Sequence, residues 1–357
     1  MFRSATCGSL PAPARPRADR RTRQGFIHMA ECKKMIFNDG GIGDAILVSA
    51  IAENNGLCVA STKYNVLLEN NPNIVLNDIS ANTVFNSRDV HDALLQQGIA
   101  PFYAHYWDLE CRNGCYHWRY PQMHMIAKCC ARAEVYGDIK IYPRIYLNDQ
   151  EIEENRPVRD KYIVMQSYGA VWKTAGYETW SVVSKVLSKN YTIVQVGAEN
   201  DPLLPNTINC LHYGLRETAA VIKNSSAFLG VIGGLMHMAR AVGTRSVISF
   251  SDSEPEFFSG YIANEHAISQ ERCDLCRTNK VNMFNGDICP KKYICGKSIS
   301  PEAILAAFFR LEKRIAHPLE YDVINNTSEK KDSMHQMMLY RKTQRRPVAK
   351  GFSKVFA

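Results

Sequence analysis

"AFLGVIGGLMHMARAVGTRSVISFS" (Ala227–Ser251) is the stretch that decides the fold class. The apolar run AFLGVIGG ends in two glycines. LMHMARAVG then carries helical apolar spacing, and RSVISFS is again a short apolar run bounded by turn residues. A strand, a helix and a strand in so short a span read as a parallel βαβ unit.

The same grammar extends outward on both sides. Upstream, KYIVMQSYG and YTIVQVG read as strands, with ETWSVVSKVLSKN and LRETAAVIKNS as helices. Downstream, SPEAILAAFFRLEKRIA opens with Ser300 as N-cap and Pro301 in the first helical position. The first half repeats the pattern. KKMIFND is a strand, GGIG a turn, DAILVSAIAEN a helix and GLCVAST a second strand. NVLLENNPNIV reads as a helix ended by Asn-Asn-Pro, and IAKCCARAEVYG as the last helix of this half. The polar, acidic stretch LNDQEIEENRPVRD (147–160) marks the boundary. The expectation is α/β, with two doubly wound, Rossmann-like domains facing a cleft, over 29–150 and 151–318.

With 357 residues, 46% of them apolar, the chain exceeds one ordinary domain and can bury a large core. No run approaches the roughly 20 apolar residues that span a bilayer. The formal charge of +8 is concentrated at the ends. Residues 1–28 carry +5 and residues 328–357 carry +6, so the body is −3 and is no nucleic-acid binder on charge. The first 28 residues, rich in Ala, Pro and Arg, are expected to be disordered or a non-native extension, with Met29 the start; an Arg-rich transit peptide is the competing reading. The basic tail, 319–357, is charged over 328–357, where it reads as solvated and could touch anionic lipid or nucleic acid. Twelve cysteines without a signal peptide point to thiols and metal ligands in a cytoplasmic protein.

Five stretches bear on chemistry. After the first strand, Gly41 and Gly43 precede Asp44 at a helix N-terminus, where open α/β sheets place ligands. A dinucleotide site would need an acidic residue closing the second strand, and VASTKYN has none. Asp44 is thus either a catalytic carboxylate or a helix cap. In the second stretch, Gly233 and Gly234 lead into a helix with His237 in its first turns, an arrangement suited to an anion. Third, Lys173 follows the strand KYIVMQSYG. Fourth, Cys273, Cys276, Cys289 and Cys295 suit a tetrahedral four-thiolate site for structural zinc or iron. Fifth, Cys111 and Cys115 lie beside His105, His117 and His124, where aromatic packing is the simpler reading.

In order, these pieces resemble glycosyltransferase family 9, the heptosyltransferases of GT-B fold, over residues 33–312. The family's GxGD turn is matched by Gly41, Gly43 and Asp44, and its Lys before a Trp-bearing helix by Lys173 and Trp180. Its GxxxE is loosely matched at VGAEN with Glu199, and its D-S/T-G-P-x-H loop by IGGLMH. That loop's Asp, Ser/Thr and Pro fall on Ile232, Gly233 and Leu235 here. The resemblance implies inverting transfer of a heptose or related sugar from an ADP-sugar to a lipopolysaccharide-core or protein acceptor. It assigns Asp44 as general base, and Lys173 with the Gly233–His237 turn as stabilisers of the leaving diphosphate. It assigns Glu199 to a ribose, implies no catalytic metal, and makes the first domain the acceptor side. The cysteine segment, 273–295, is similar to the metal finger of the subgroup that heptosylates autotransporter proteins. A cytoplasmic enzyme, peripheral at the inner membrane through its basic tail, is the implied setting. The rival from another class is a fold relative that binds nucleotide or a partner without turnover.

Overall fold

The computed structural model describes residues 32–104, 124–169, 173, 175–254, 256–271, 273, 275, 288–314 and 323–326. The first half runs β1 (Lys34–Asn38), α1 (Ile42–Asn55), β2 (Cys58–Thr62), β3 (Ile74–Leu76), α2 (Ala81–Asn86), α3 (Arg88–Gln96) and β4 (Ala100–Tyr103). Its strands form a parallel sheet in the order β3-β2-β1-β4. Helix α4 (Met125–Arg132) follows, then β5 (Gly137–Lys140), which pairs antiparallel with β12 (Val323–Asn326).

The second half holds a six-stranded sheet in the order β11-β10-β9-β6-β7-β8, parallel throughout. Its strands are β6 (Tyr162–Met165), β7 (Thr192–Gln195), β8 (Ile208–Asn209), β9 (Phe228–Val231), β10 (Ser246–Phe250) and β11 (Glu265–Ile268). The helices between them are α6 (Tyr177–Leu187), α7 (Leu215–Lys223), α8 (Gly234–Ala241) and α9 (Glu256–Ser259). After α10 (Ile294–Lys297), helix α11 (Pro301–Lys313) packs back on β10 and β11. Its N-cap is Ser300, whose Oγ accepts from Ala303 N–H at 3.3 Å, and Pro301 occupies the first turn, where its missing donor costs nothing.

The polar stretch between the halves contains a short helix, α5 (Asp149–Glu154), closed by a capping box between Asn148 and Glu151. NVLLENNPNIV is not the helix that its apolar spacing predicts. Residues Asn65–Leu68 make one tight 3-10 turn, and Ile74–Leu76 become β3. The local chemistry explains the difference. Asn70 has φ of +64°, and the Asn71 side chain accepts from Asn73 N–H at 2.9 Å, so an Asx turn at Pro72 replaces further helical bonds.

Helix α1 is apolar on nearly every side, and Ala45 through Ala52 are all buried. A helix of that kind needs cover all round. It packs against α8 of the second half as well as α4 and its own sheet. Ile46 and Ile51 therefore share one apolar cluster with Met236 and Ala239. Arg216, in the first turn of α7, adds a polar tie. It pairs with Glu151 and donates to the carbonyls of Val66 at 2.9 Å and Tyr146 at 2.7 Å. Hydrogen bonding to that guanidinium holds the Glu151 carboxyl below its ordinary range.

Candidate active site

Each half presents the carboxyl edge of its parallel sheet to the other, so the loops after β1, β6, β9 and β10 converge. One cavity of about 1100 Å³ lies between them. Gly41, Gly43 and Asp44 line it from the first half. Lys173, Gly233, Gly234 and His237 line it from the second. The volume is at the upper end for a small-molecule site, enough for a nucleotide with a sugar attached.

The β1 turn is shaped by side chains. Asn38 donates to Ala104 O at 2.9 Å and accepts from Gly40 N–H at 2.9 Å. Asp44 Oδ2 accepts from Gly41 N–H at 2.8 Å, in a capping box at the start of α1. The cap and the cavity position are thus both true of Asp44: one oxygen fixes the carboxylate while the residue lines the cavity. Beside it, Tyr103 donates to Asp39. Burial, that hydrogen bond and the nearby Asp44 charge all push the Tyr103 phenol up.

On the opposite wall, Lys173 Nζ donates to Glu254 Oε2 at 2.7 Å, with both side chains largely buried. Burial alone would raise the Glu254 carboxyl, but the Lys173 ammonium outweighs it and holds Glu254 below its ordinary value. Sequence reasoning did not single out Glu254. Its signal was available in SDSEPEFF, an acid just past the end of β10, on the same sheet edge as Lys173 and His237.

His237 lies between these groups and is buried. Burial pushes its imidazole down to about 4, against the pull of the Glu254 and Asp44 carboxylates and with the push of Lys173, so it is neutral at pH 7. Gly233 has φ of +155°, a backbone that residues with side chains rarely adopt, and open space stands where its Cβ would be. Gly234 serves another purpose. A Cβ there would come within 3.0 Å of Ile42 Cβ, so this glycine admits the start of α1 rather than a ligand.

The remaining predicted residues fall elsewhere. Ile232 is buried in the apolar core. Glu199 is exposed on the turn after β7, and the residues of that turn lining the cavity are Gly197, Ala198 and Asp201. Asp201 Oδ2 accepts from Ala198 N–H at 2.9 Å. Cys273, Cys289 and Cys295 are buried and do not line the cavity. Among the described residues no three His, Cys, Asp or Glu side chains are grouped to hold a metal ion, and Cys276 lies outside those residues. His105, Cys111, Cys115 and His117 also lie outside them, while His124 is buried as the N-cap of α4.

Two parallel-sheet halves, with a carboxylate on one lip of the cavity and a cation, a histidine and a helix N-terminus on the other, make a GT-B architecture. Residues 165–285 match the sequence model of glycosyltransferase family 9 (heptosyltransferase). Over that segment the chain is similar in sequence to family 9.

Solved structures agree in fold. The iron-containing dodecameric glycosyltransferase TibC from enterotoxigenic E. coli H10407 is 15% identical, with a TM-score of 0.59 over 78% of this chain and 76% of that one. The dodecameric iron-containing heptosyltransferase TibC in complex with ADP-D-β-D-heptose is 14% identical, with a TM-score of 0.58 over the same shares. The E. coli ADP-heptose lipopolysaccharide heptosyltransferase II is 12% identical, with a TM-score of 0.58 over 79% of this chain and 100% of that one. No curated protein matches the sequence.

Proposed function

We propose that this protein transfers a heptose, or a related sugar, from an ADP-linked donor to a hydroxyl of a lipopolysaccharide-core or protein acceptor, with inversion at the anomeric carbon. The observation that carries the reading is that Asp44 lines the same cavity as Lys173, His237 and Gly233. In this reaction the Asp44 carboxylate takes the proton of the acceptor hydroxyl. The acceptor oxygen bonds to the anomeric carbon as the bond from that carbon to the diphosphate oxygen breaks. The negative charge left on the diphosphate is met by the N–H groups at the start of α8, by Lys173 and by His237. An ammonium has three donors, so Lys173 can hold Glu254 and a phosphate oxygen together.

The donor assignment is supported by the family match and by TibC, a fold relative captured with ADP-D-β-D-heptose. The β7 turn is assigned to the ribose, with Asp201 on the cavity side and Glu199 on the outer side.

A structural zinc or iron on Cys273, Cys276, Cys289 and Cys295 belongs to the same reading. TibC is iron-containing, Tyr293 N–H points at Cys289 Sγ at 3.3 Å, and Cys273 lies near enough to Cys295 to act on its thiol. Such N–H···S contacts suit thiolate ligands. No chemical step runs through that metal.

No helix among the described residues is long and apolar enough to cross a membrane. We place the enzyme in the cytoplasm, where nucleotide sugars are made, with its basic tail against the inner membrane. Calorimetric titration with ADP-heptose beside UDP-, GDP- and other ADP-sugars tests the donor. Tight binding of ADP-heptose is expected, and preference for another base or sugar would overturn it.

A further inference from the structure

Behind His237, away from the cavity, lies a buried aromatic group that the reaction as described does not use. Tyr261 is fully buried in the turn after α9, with its hydroxyl 2.5 Å from His237 Nδ1 and its ring edge-on to the imidazole at 5.6 Å. On the opposite edge of the imidazole, a Cβ placed on Gly43 would stand 2.9 Å from Cδ2. That edge, where Cδ2 is bonded to Nε2, faces Gly43 at the start of α1, and Gly43 and His237 both line the cavity.

We infer that Tyr261 is a positioning residue: its hydroxyl donates to His237 Nδ1, fixes the tautomer protonated at Nε2, and makes His237 a hydrogen-bond donor toward the cavity. The direction of the bond follows from acidity. A phenol, with a pKa near 10, is a far better donor than a neutral imidazole N–H, and a neutral imidazole nitrogen is the better acceptor. Burial keeps the ring neutral, so only one nitrogen carries a proton, and the nitrogen that accepts from Tyr261 is not that one. Three charged groups act on the ring, namely Glu254, Asp44 and Lys173.

The hydroxyl is itself held in place. Gly260 permits the tight turn before it, since a side chain there would meet Glu256 O at 2.4 Å. His124, from α4 in the first half, accepts from Ile126 N–H at Nδ1 (3.2 Å). Its proton is therefore on Nε2, which donates to Gly260 O at 3.1 Å. The backbone that delivers Tyr261 is thus anchored to the opposite half. The arrangement gives an anionic oxygen a neutral donor, and makes His237 unfit to act as a base.

The role of the Nε2 proton toward a diphosphate rests on the nucleotide-sugar reading, whereas the tautomer does not. The test therefore has two readouts. Histidine ¹⁵N shifts of the unliganded protein at pH 7.5 should show His237 protonated at Nε2, and a proton on Nδ1 would overturn the inference. ADP titrations then form a cycle. Tyr261→Phe should weaken ADP binding about 3- to 10-fold, the range of one neutral hydrogen bond. In a His237→Phe background the same change should have little effect, because nothing remains to be positioned. An equal loss in both backgrounds would assign Tyr261 a packing role and overturn the inference. Should wild-type protein not bind ADP, the nucleotide-sugar reading fails, and the ¹⁵N result alone decides the tautomer.

Discussion

Gly43 and Gly234 face each other across the boundary between the two halves: a Cβ on Gly43 would lie 3.4 Å from Gly234 Cα. The helices they begin, α1 and α8, therefore meet at their N-termini, the positive ends of both dipoles. Negative charge beside two such ends is favoured. Asp44 supplies it in the first turn of α1, whereas the Glu254 carboxylate on the cavity wall is neutralised by Lys173. A diphosphate entering the same space would be met by both ends. The first two predictions concern the chemistry of this junction, and the third its packing.

Asp44→Asn should cut turnover by about 10²–10⁴, the usual share of a general base, and leave donor affinity within a factor of about two. An asparagine oxygen can still accept from Gly41 N–H, so the start of α1 is preserved and the comparison isolates proton transfer. Steady-state kinetics beside ADP-sugar titration make the measurement. Unchanged turnover would reduce Asp44 to a helix cap.

Lys173 and Glu254 should behave as a unit. Lys173→Ala is expected to weaken ADP binding by about 1.5–3 kcal/mol, the scale of a hydrogen bond to a charged group, with Lys173→Arg restoring only part. Lys173→Met also leaves a buried carboxylate without its cation, so it should unfold at lower urea than the Lys173→Met/Glu254→Gln double variant. If the double variant were the less stable of the two, the pair would not be coupled.

Gly43→Ala would push a methyl group to 2.9 Å from His237 Cδ2, with backbone behind it, and should cost about 1–3 kcal/mol in urea unfolding. Gly41→Ala is the control. Its Cβ would meet only Asp44 Oδ2 at 3.5 Å, an ordinary contact, and the cost should stay below about 1 kcal/mol, that of a poorer N-cap. Equal costs at the two glycines would contradict the close approach of α1 and α8.

Acid should unfold the protein through its buried histidines. Burial lowers His124 to about 3 and both His237 and His266 to about 4, below the ordinary 6.5. The unfolded chain binds these protons first, so stability is intact above pH 6.5 and falls as pH drops toward 4. At pH 5 each histidine forfeits about 2 kcal/mol. Urea midpoints between pH 7.5 and 5 should fall steeply, and His266→Gln, which removes one of the three rings and does not line the cavity, should flatten the curve. A flat wild-type curve would mean these rings are protonated in the fold.

Purified protein should carry about one zinc or iron per chain, from four thiolates at one tetrahedral site. Cys273→Ser with Cys276→Ser should lower stability more than the specific activity of the molecules that remain folded. Elemental analysis finding neither metal would remove the site.

The strand and helix order of both halves was written in the sequence, because those signals are local. Apolar period, turn glycines and the Ser300-Pro301 cap each act within a few residues. So was the placement of Asp44, Lys173 and His237 at strand ends, since a parallel sheet brings all such ends to one edge. The apolar spacing of NVLLENNPNIV fits a helix, but the Asn71 side chain takes the Asn73 N–H and Asn70 adopts a positive φ, which ends helical bonding there. Which partners meet across the edges was not legible. The 81 positions between Lys173 and Glu254, and the 24 between His237 and Tyr261, are closed only by packing. Nor does the sequence say that Asp201 turns toward the cavity while Glu199, two residues earlier, turns away. The burial of α1 between the halves was legible only as an apolar helix. Its partner α8, and with it the reason for Gly234, depends on how the two sheets come together. Sequence fixes what each segment is because short-range forces decide it. Tertiary structure decides what each segment touches, since those contacts close long loops whose entropy only the shared core offsets.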